Sequence, residues 1–420
     1  MAPQFSRVSA LAPFQIRSFR LQWPADLATS WAFEMETLIL GWYVLVETGS
    51  VLLLTVYASL LYVGTLLAPM FGVAGDRIGH RNLLSAMRAV YAVQAVTLMV
   101  LAYTGALDPV YVLAIAAVMG MVRPSDIGMR AALVGETMPR EHLIGAMSIQ
   151  RTTQDSARIV GALTGAGLVA ALGMGAAYVM VTSLYAISLV LTLRSAVSAR
   201  PANAKAAHST ARSSPWRDLK AGLAYVRTTP HLLAVMCLAF LLNLTAFPLI
   251  NGLLPVVAKQ IYHSDQTGLG YMVAGAAFGA LLGSIILSRH GSAIRSGRLM
   301  LIACVMWFVL LLVFARMPHP ALGIPVLVLA GSMQSLSMIP MSAMLLRNSD
   351  EQFRGRIMGI RMLAIYGNVP GLLISGPLIA RFGYPATATF YCLFGLAFTL
   401  FIAVRWRDHL WRPAALVNTR

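Results

Sequence analysis

The chain is a succession of apolar runs, each of which ends in a short charged or glycine-rich turn. A helix of ~20 apolar residues spans the ~30 Å hydrocarbon core of a bilayer. Inside that core every backbone N–H and C=O must be satisfied within the segment, so such runs can only be helices. The runs lie near 22–45, 51–74, 83–105, 109–134, 142–171, 174–195, 231–258, 267–288, 298–317, 321–346, 353–381 and 384–405. Residues are 58% hydrophobic and only 11% charged, whereas a soluble domain is about half apolar and a quarter charged. The sequence therefore predicts an all-α, multi-pass membrane protein.

The net charge of +17 is spread through the loops rather than over one soluble face, which excludes a nucleic-acid surface. Arg77, Arg81, Arg140, Arg194 to Arg227, Arg289 to Arg298 and Arg347 to Arg356 fall in one set of loops. The alternating turns at 47–50, 104–109 and 172–175 carry no Lys or Arg; Lys259, Arg316 and Arg381 are the exceptions. Basic loops stay on the cytoplasmic side, so both termini are expected there, which requires an even number of crossings. Residues 1–12 show no signal-peptide pattern, and the first run is expected to insert directly. Cys237, Cys304 and Cys392 all sit in apolar runs, so neither a disulfide framework nor a metal cluster is expected.

Between the second and third runs the chain reads Gly-Val-Ala-Gly-Asp-Arg-Ile-Gly-His-Arg, residues 72–81. Its charges cannot lie in hydrocarbon, and its glycines permit a tight polar hairpin. The pattern of Gly72, Asp76, Arg77, Gly79 and Arg81 resembles the loop signature of the major facilitator superfamily, with His80 where that pattern often has a basic residue. The Arg140-Glu141-His142-Leu143-x-Gly145-Ala146 and Arg354-Gly355-Arg356-x-Met358-Gly359 stretches are most similar to bacterial multidrug and siderophore exporters of that superfamily. The resemblance implies twelve transmembrane helices in two pseudo-symmetric six-helix bundles. It also implies a cytoplasmic gate in which Asp76 meets the helix that starts near Arg354–Arg356 when the protein opens outward.

An internal repeat agrees. Gly145, Arg151, Gly161 and Gly173 each have a counterpart 210 residues on, at Gly355, Arg361, Gly371 and Gly383. Two halves with even span counts would repeat in parallel orientation. The expected division is 1–195 and 231–420, joined by 196–230. In that linker Trp216, Leu219, Leu223 and Val226 fall at helical spacing, as in a short amphipathic helix on the cytoplasmic surface; a partner-binding helix is the alternative.

Ionisable residues inside a span mark function by default. Glu34 and Glu36 point about 200° apart on the first helix, so only one can face a central cavity. Glu34, ~18 Å in from residue 22, lies near the midplane. It has no basic neighbour within a turn of its own helix, which favours it as proton carrier over Asp155, which has Arg151 and Arg158 on its own face and is the alternative if helix movement separates them; Glu36 ranks third and is expected to face another helix or lipid. Arg123, Asp126 and Arg130 form a stripe on the fourth span, and Arg151, Asp155 and Arg158 on the fifth. Counted outward from the turn near Pro139, Arg123 matches Asp155 in depth and Asp126 matches Arg151. The stripes are expected either to neutralise each other as a structural ladder with Arg361 or to carry protons or substrate. Asn243, Asn251, Gln334, Ser337 and Asn368 are candidate cavity groups, although helix-to-helix hydrogen bonding is the commoner use of such residues.

The expected function is proton-coupled efflux of a small amphiphilic compound by a monomer in the bacterial inner membrane. Its partners would be that small molecule, protons and the lipid bilayer, with no cofactor and no nucleic acid. Uptake and lipid flipping on the same fold are the alternatives. A membrane-embedded enzyme is disfavoured: the histidines fall in or beside loops, and neither metal-ligand spacing nor a Ser–His pairing is evident. The chain contains no phosphate-binding glycine loop for an ATP-driven pump.

Overall fold

The computed structural model describes residues 12–195, 215–290, 296–347, 349 and 354–407, and among these there is no strand. The helices are α1 (Arg17–Thr48), α2 (Val51–Leu60), α3 (Ala68–Ile78), α4 (His80–Thr104), α5 (Pro109–Thr137), α6 (Arg140–Arg194) and α7 (Pro215–Thr228). They continue with α8 (Pro230–Asn251), α9 (Gln266–His290), α10 (Ser296–Phe314), α11 (Pro320–Arg347), α12 (Arg354–Ala364), α13 (Asn368–Phe382) and α14 (Tyr384–Arg405). Among the described residues 9 helices are long and apolar enough to cross a membrane. Val51–Leu67 adds a shorter apolar helix, and the apolar character of α1 is diluted by Asp26, Glu34 and Glu36.

Helix α6 is not one crossing. Its 55 residues would extend roughly 80 Å if straight, more than twice a bilayer core. It breaks at Gly173, whose φ of 80° and ψ of 173° are non-helical. Gly383, 210 residues later, separates α13 from α14 with φ 79° and ψ 165°. Both conformations lie in the left-handed half of φ that favours glycine, so the sequence repeat is a repeat of backbone geometry.

The repeat extends to packing. A Cβ on Gly161 of α6 would lie 2.7 Å from Cβ of Glu34 on α1. One on Gly371 of α13 would lie 2.2 Å from the Leu244 carbonyl oxygen on α8. Gly161 and Gly371 differ by 210, as do Glu34 and Leu244, so equivalent glycines admit equivalent helices. In apolar surroundings helices associate by such close approach of small residues. A Cβ on Gly279 of α9 would meet the Val328 carbonyl oxygen of α11 at 1.9 Å, and one on Gly120 of α5 the Leu60 carbonyl oxygen at 1.8 Å.

The first half of the chain is joined to the second chiefly by α6 against α9 and α2 against α13. The named contacts gather toward the end where α1 stops. Lys259 donates to the carbonyl oxygens of Leu45 (3.1 Å) and Val46 (3.3 Å). A Cβ on Gly252 would sit 3.4 Å from Cβ of Ala58, and one on Gly270 2.7 Å from Cβ of Ala166. This end lies opposite the residue 72–81 turn. The Lys259 ammonium thus caps the negative C-terminus of α1, which accounts for one of the three basic exceptions in that set of loops.

Helix α7 forms where the amphipathic pattern predicts it and packs against α8 and α12. Of its apolar face, Val226 is buried and Leu223 is exposed. Residues 196–214 of the expected linker lie outside the described residues.

Candidate functional site

The polar turn is smaller than its sequence suggests. Helix α3 runs through Gly72 and Gly75 to Ile78, and the only break is Gly79 at φ 90°, ψ 135°. Gly75 serves packing instead: a Cβ there would lie 2.9 Å from the His80 ring and 3.0 Å from Sδ of Met129. His80 Nδ1 is 2.9 Å from Oε1 of Glu136 at the end of α5. Arg81 donates to the Ser195 carbonyl oxygen at 3.2 Å, beyond the end of α6, and Arg77 lies in the last turn of α3. The turn thereby ties three helix ends together. The side chains of Asp76 and Arg354–Arg356 lie outside the described residues, and with them the predicted gate contact.

Deeper in, a buried network holds the first-half helices. Asp26 of α1 accepts hydrogen bonds from Arg88 of α4 and from Gln150 of α6, the latter at 2.9 Å. Arg130 of α5 lies 3.8 Å from the Asp26 carboxylate, pairs with Asp126 and donates to Ser30 at 2.7 Å. Arg88 also donates to Thr192, in the second part of α6. All four ionisable groups are buried. Two carboxylates balance two guanidiniums, the condition under which charges are tolerated away from water. Neither Asp26 nor Arg88 figures in the sequence reading. Both lie close enough to a span's end to pass for loop charges, although each is an ionisable residue in an apolar run.

A second cluster lies near the middle of the helices and joins both halves. Arg123 of α5 reaches Glu34 of α1 at 3.9 Å, donates to Thr37 at 2.8 Å and stacks 4.8 Å above the centre of the Phe33 ring. Arg158 of α6 donates to the side-chain oxygen of Asn251, at the end of α8, at 2.5 Å. Tyr62, where α2 gives way to a 3-10 turn, lies beside Asn251 and within electrostatic range of Arg123, Arg158 and Glu34. The Glu34 and Arg123 side chains keep 26% and 21% exposure although helices flank them, so they face a cleft rather than a sealed core.

This geometry corrects two expectations and agrees with a third. The α5 and α6 stripes do not neutralise each other: Asp126 pairs with Arg130 on its own helix, and Asp155 pairs with Arg151 on its own helix at 3.3 Å. Arg123 turns to Glu34 and Arg158 to Asn251 instead. The depth match failed because side chains on α5 find nearer partners on α1. Glu34 has a basic neighbour after all, supplied by another helix. Glu36 faces another helix, as expected, and is the buried carboxyl, at 1% exposure. Tyr185 of α6 donates to it at 2.8 Å, and its second oxygen has no hydrogen-bond partner among the described residues.

The polar candidates divide in the same way. Asn251 belongs to the cluster, but Asn368 donates to Asn243 at 2.8 Å, joining α13 to α8 as a buried pair. Ser337 donates to the backbone of Gln334 at 2.8 Å; the Gln334 side chain, half-buried on α11, has no partner among the described residues. Arg361 of α12 is half-buried, within electrostatic range of Arg151. These two arginines are repeat equivalents, and they approach each other from opposite halves. No group of His, Cys, Asp and Glu suited to a metal ion occurs among the described residues.

A model of the transmembrane secretion effector family, one of the major facilitator superfamily models, matches residues 8–409. The chain belongs to that family. Curated relatives include the enterobactin exporter EntS of Escherichia coli O1:K1, 26% identical over 172 residues, and that of Citrobacter koseri, 27% identical over 172 residues. Each match covers 41% of this chain and 40% of the relative, so the alignment spans less than half the length of the relatives. Solved structures agree over nearly the whole chain. The nucleoside transporter NupG superposes with a TM-score of 0.69 at 14% identity, covering 95% of this chain and 100% of that one. The D-xylose-proton symporter gives 0.71 at 12%, covering 91% and 96%. A bacterial homologue of the lysosomal transporter Spinster, inward-facing and unoccupied, gives 0.69 at 12%, covering 94% and 99%. At these identities the likeness is one of fold. The family member described here therefore has the helical, multi-pass fold of superfamily transporters.

Proposed function

We propose that the protein is a secondary transporter that exports a small amphiphilic compound across the bacterial inner membrane in exchange for protons. In this reading residues 1–195 and 231–420 are two bundles of six crossings that rock about the central cluster. Both termini and the residue 72–81 turn are cytoplasmic. The observation that carries the proposal is the ion pair of Glu34 and Arg123 at mid-depth, open to a cleft and flanked by Tyr62, Arg158 and Asn251. Relatives named as exporters favour efflux over uptake. The inter-half contacts at the Lys259 end suit a state closed there and open toward the turn.

The coupling follows from charge. An ionised Glu34 holds Arg123; a proton on Glu34 removes the attraction and frees Arg123 to meet another partner. Substrate and proton then compete for one site, which is what exchange requires. Asp76 meeting the start of α12 would latch the turn end once it closes, since a helix N-terminus and nearby arginines stabilise a carboxylate. Glu36 is the second candidate carrier, because it is buried beside a phenol rather than a cation.

The test is substrate transport by proteoliposomes under an imposed pH gradient, with run direction set by the sign of the gradient. Glu34→Gln is expected to abolish gradient-driven accumulation while substrate exchange persists. Full gradient-driven transport in Glu34→Gln would remove it from the role, and the same loss in Glu36→Gln would transfer the role there.

A further inference from the structure

The charges around the cleft do not balance. The acidic residues more than two turns inside the ends of the spanning helices are Asp26, Glu34, Glu36, Asp126 and Asp155; Glu47, Glu136 and Glu141 lie in terminal turns. Asp26 and Asp126 are consumed by Arg88 and Arg130 in the buried network. Glu36 faces Tyr185. That leaves Glu34 and Asp155, which meet Arg123 and Arg151. Arg158 and Arg361 remain, and no carboxylate pairs with either among the described residues. Arg158 has only a neutral amide oxygen, supplied by Asn251. The second half offers none in its apolar runs, since the acidic residues of its sequence are Asp265, Asp350, Glu351 and Asp408, all outside those runs.

Position makes the surplus informative. Arg361 and Arg151 approach from opposite halves toward the turn end, and Arg151 is 67% exposed. Arg158 lies two helical turns further in, ~10 Å along α6 from Arg151. A guanidinium in a partly dehydrated site without a counter-ion is costly, and the cost falls when an anion arrives. Low-dielectric walls around like charges also concentrate counter-ions from solution. Arginine's planar fork suits carboxylate, sulfonate and phosphate oxygens.

We propose that the substrate is an organic anion: an apolar body bearing an acidic group that pairs with Arg158 in place of Asn251, drawn inward past Arg361 and Arg151. Asn251 belongs to the opposite half, so the displacement also breaks a contact that joins the halves at mid-depth. This rests on the transport reading for its biological sense, but its binding chemistry stands apart from it.

The experiment is calorimetric titration of purified protein in nanodiscs, with empty nanodiscs subtracted. Three probes differ in charge: 1-anilinonaphthalene-8-sulfonate, the same ring system without the sulfonate (N-phenyl-1-naphthylamine), and the tetraphenylphosphonium cation. Wild type is expected to bind the sulfonate about tenfold or more tighter than either other probe, with an affinity that falls as salt rises. Arg158→Gln is expected to remove that preference and leave the neutral probe unchanged, while Arg158→Lys retains most of it. Equal or tighter binding of the neutral or cationic probe, no binding of the sulfonate, or an Arg158→Gln variant with undiminished preference would overturn the proposal. If Arg158→Gln does not fold, the wild-type probe ranking decides alone. No gradient is imposed, so the two readings fail separately: preference without pH-driven transport sinks the transport reading, and pH-driven transport of cations sinks this one.

Discussion

Asp26 shows what one intramembrane charge does. Its carboxylate receives Arg88, Gln150 and, at longer range, Arg130. Removing it strands buried guanidiniums, a loss of about 3–5 kcal/mol for a buried pair broken on one side. Asp26→Ala is therefore expected to lower the unfolding temperature in detergent sharply, and Asp26→Ala combined with Arg88→Met to recover part of the loss. A double variant no more stable than Asp26→Ala would show that the pair is not the source of the effect. Glu34 is expected to behave differently, because its partner Arg123 keeps access to the cleft: Glu34→Gln should change transport with little change in unfolding temperature. The sequence marked Glu34, Glu36, Arg123, Arg130 and Arg158 correctly as charges in spans. It could not tell which carboxyl was buried, because one helix's spacing fixes the angle between Glu34 and Glu36 but not where its neighbours stand.

Helices were the most legible level. Apolar length gave nearly every span to within a few residues, and the Gly173–Gly383 repeat gave two of the turns. What the pattern missed was breaks inside spans. Helix α2 yields to a 3-10 turn at Val63–Leu67, and α8 is followed by a π-turn over Val257–Ile261. Both segments remain apolar, so hydropathy does not register them, yet they position Tyr62 and Lys259. Glycine packing supplies one prediction at this scale. Gly279→Val, which places new atoms against the Val328 backbone, is expected to cost about 1–3 kcal/mol. Gly128→Ala, which meets nothing within 4 Å, should be neutral or slightly stabilising; equal effects from the two would refute the packing account. Lys259 supplies another. Its two bonds to the end of α1 hold the halves together, and hydrogen bonds from a charged donor contribute about 1.5–3 kcal/mol each. Lys259→Met is expected to raise the alkylation rate of a cysteine placed at Ala58 about tenfold, in a background with Cys237, Cys304 and Cys392 replaced by serine. An unchanged rate would mean that this end is held by packing alone.

At the scale of the molecule, close contacts at the Lys259 end coexist with accessible charges between the halves. A transporter must be able to exchange these arrangements, closing the turn end as the other opens. Pulsed electron–electron resonance reads that exchange with one spin-label pair at each end, in the same cysteine-free background. Labels at Thr48 and Ser264 report the Lys259 end, and labels at Asn82 and Arg289 report the turn end. In liposomes at two pH values, the predicted result is reciprocal: the Thr48–Ser264 distance lengthens as the Asn82–Arg289 distance shortens, and Glu34→Gln holds both at one value regardless of pH. Distances that stay fixed at both ends, or that lengthen and shorten together, would contradict a molecule that alternates about its central charges.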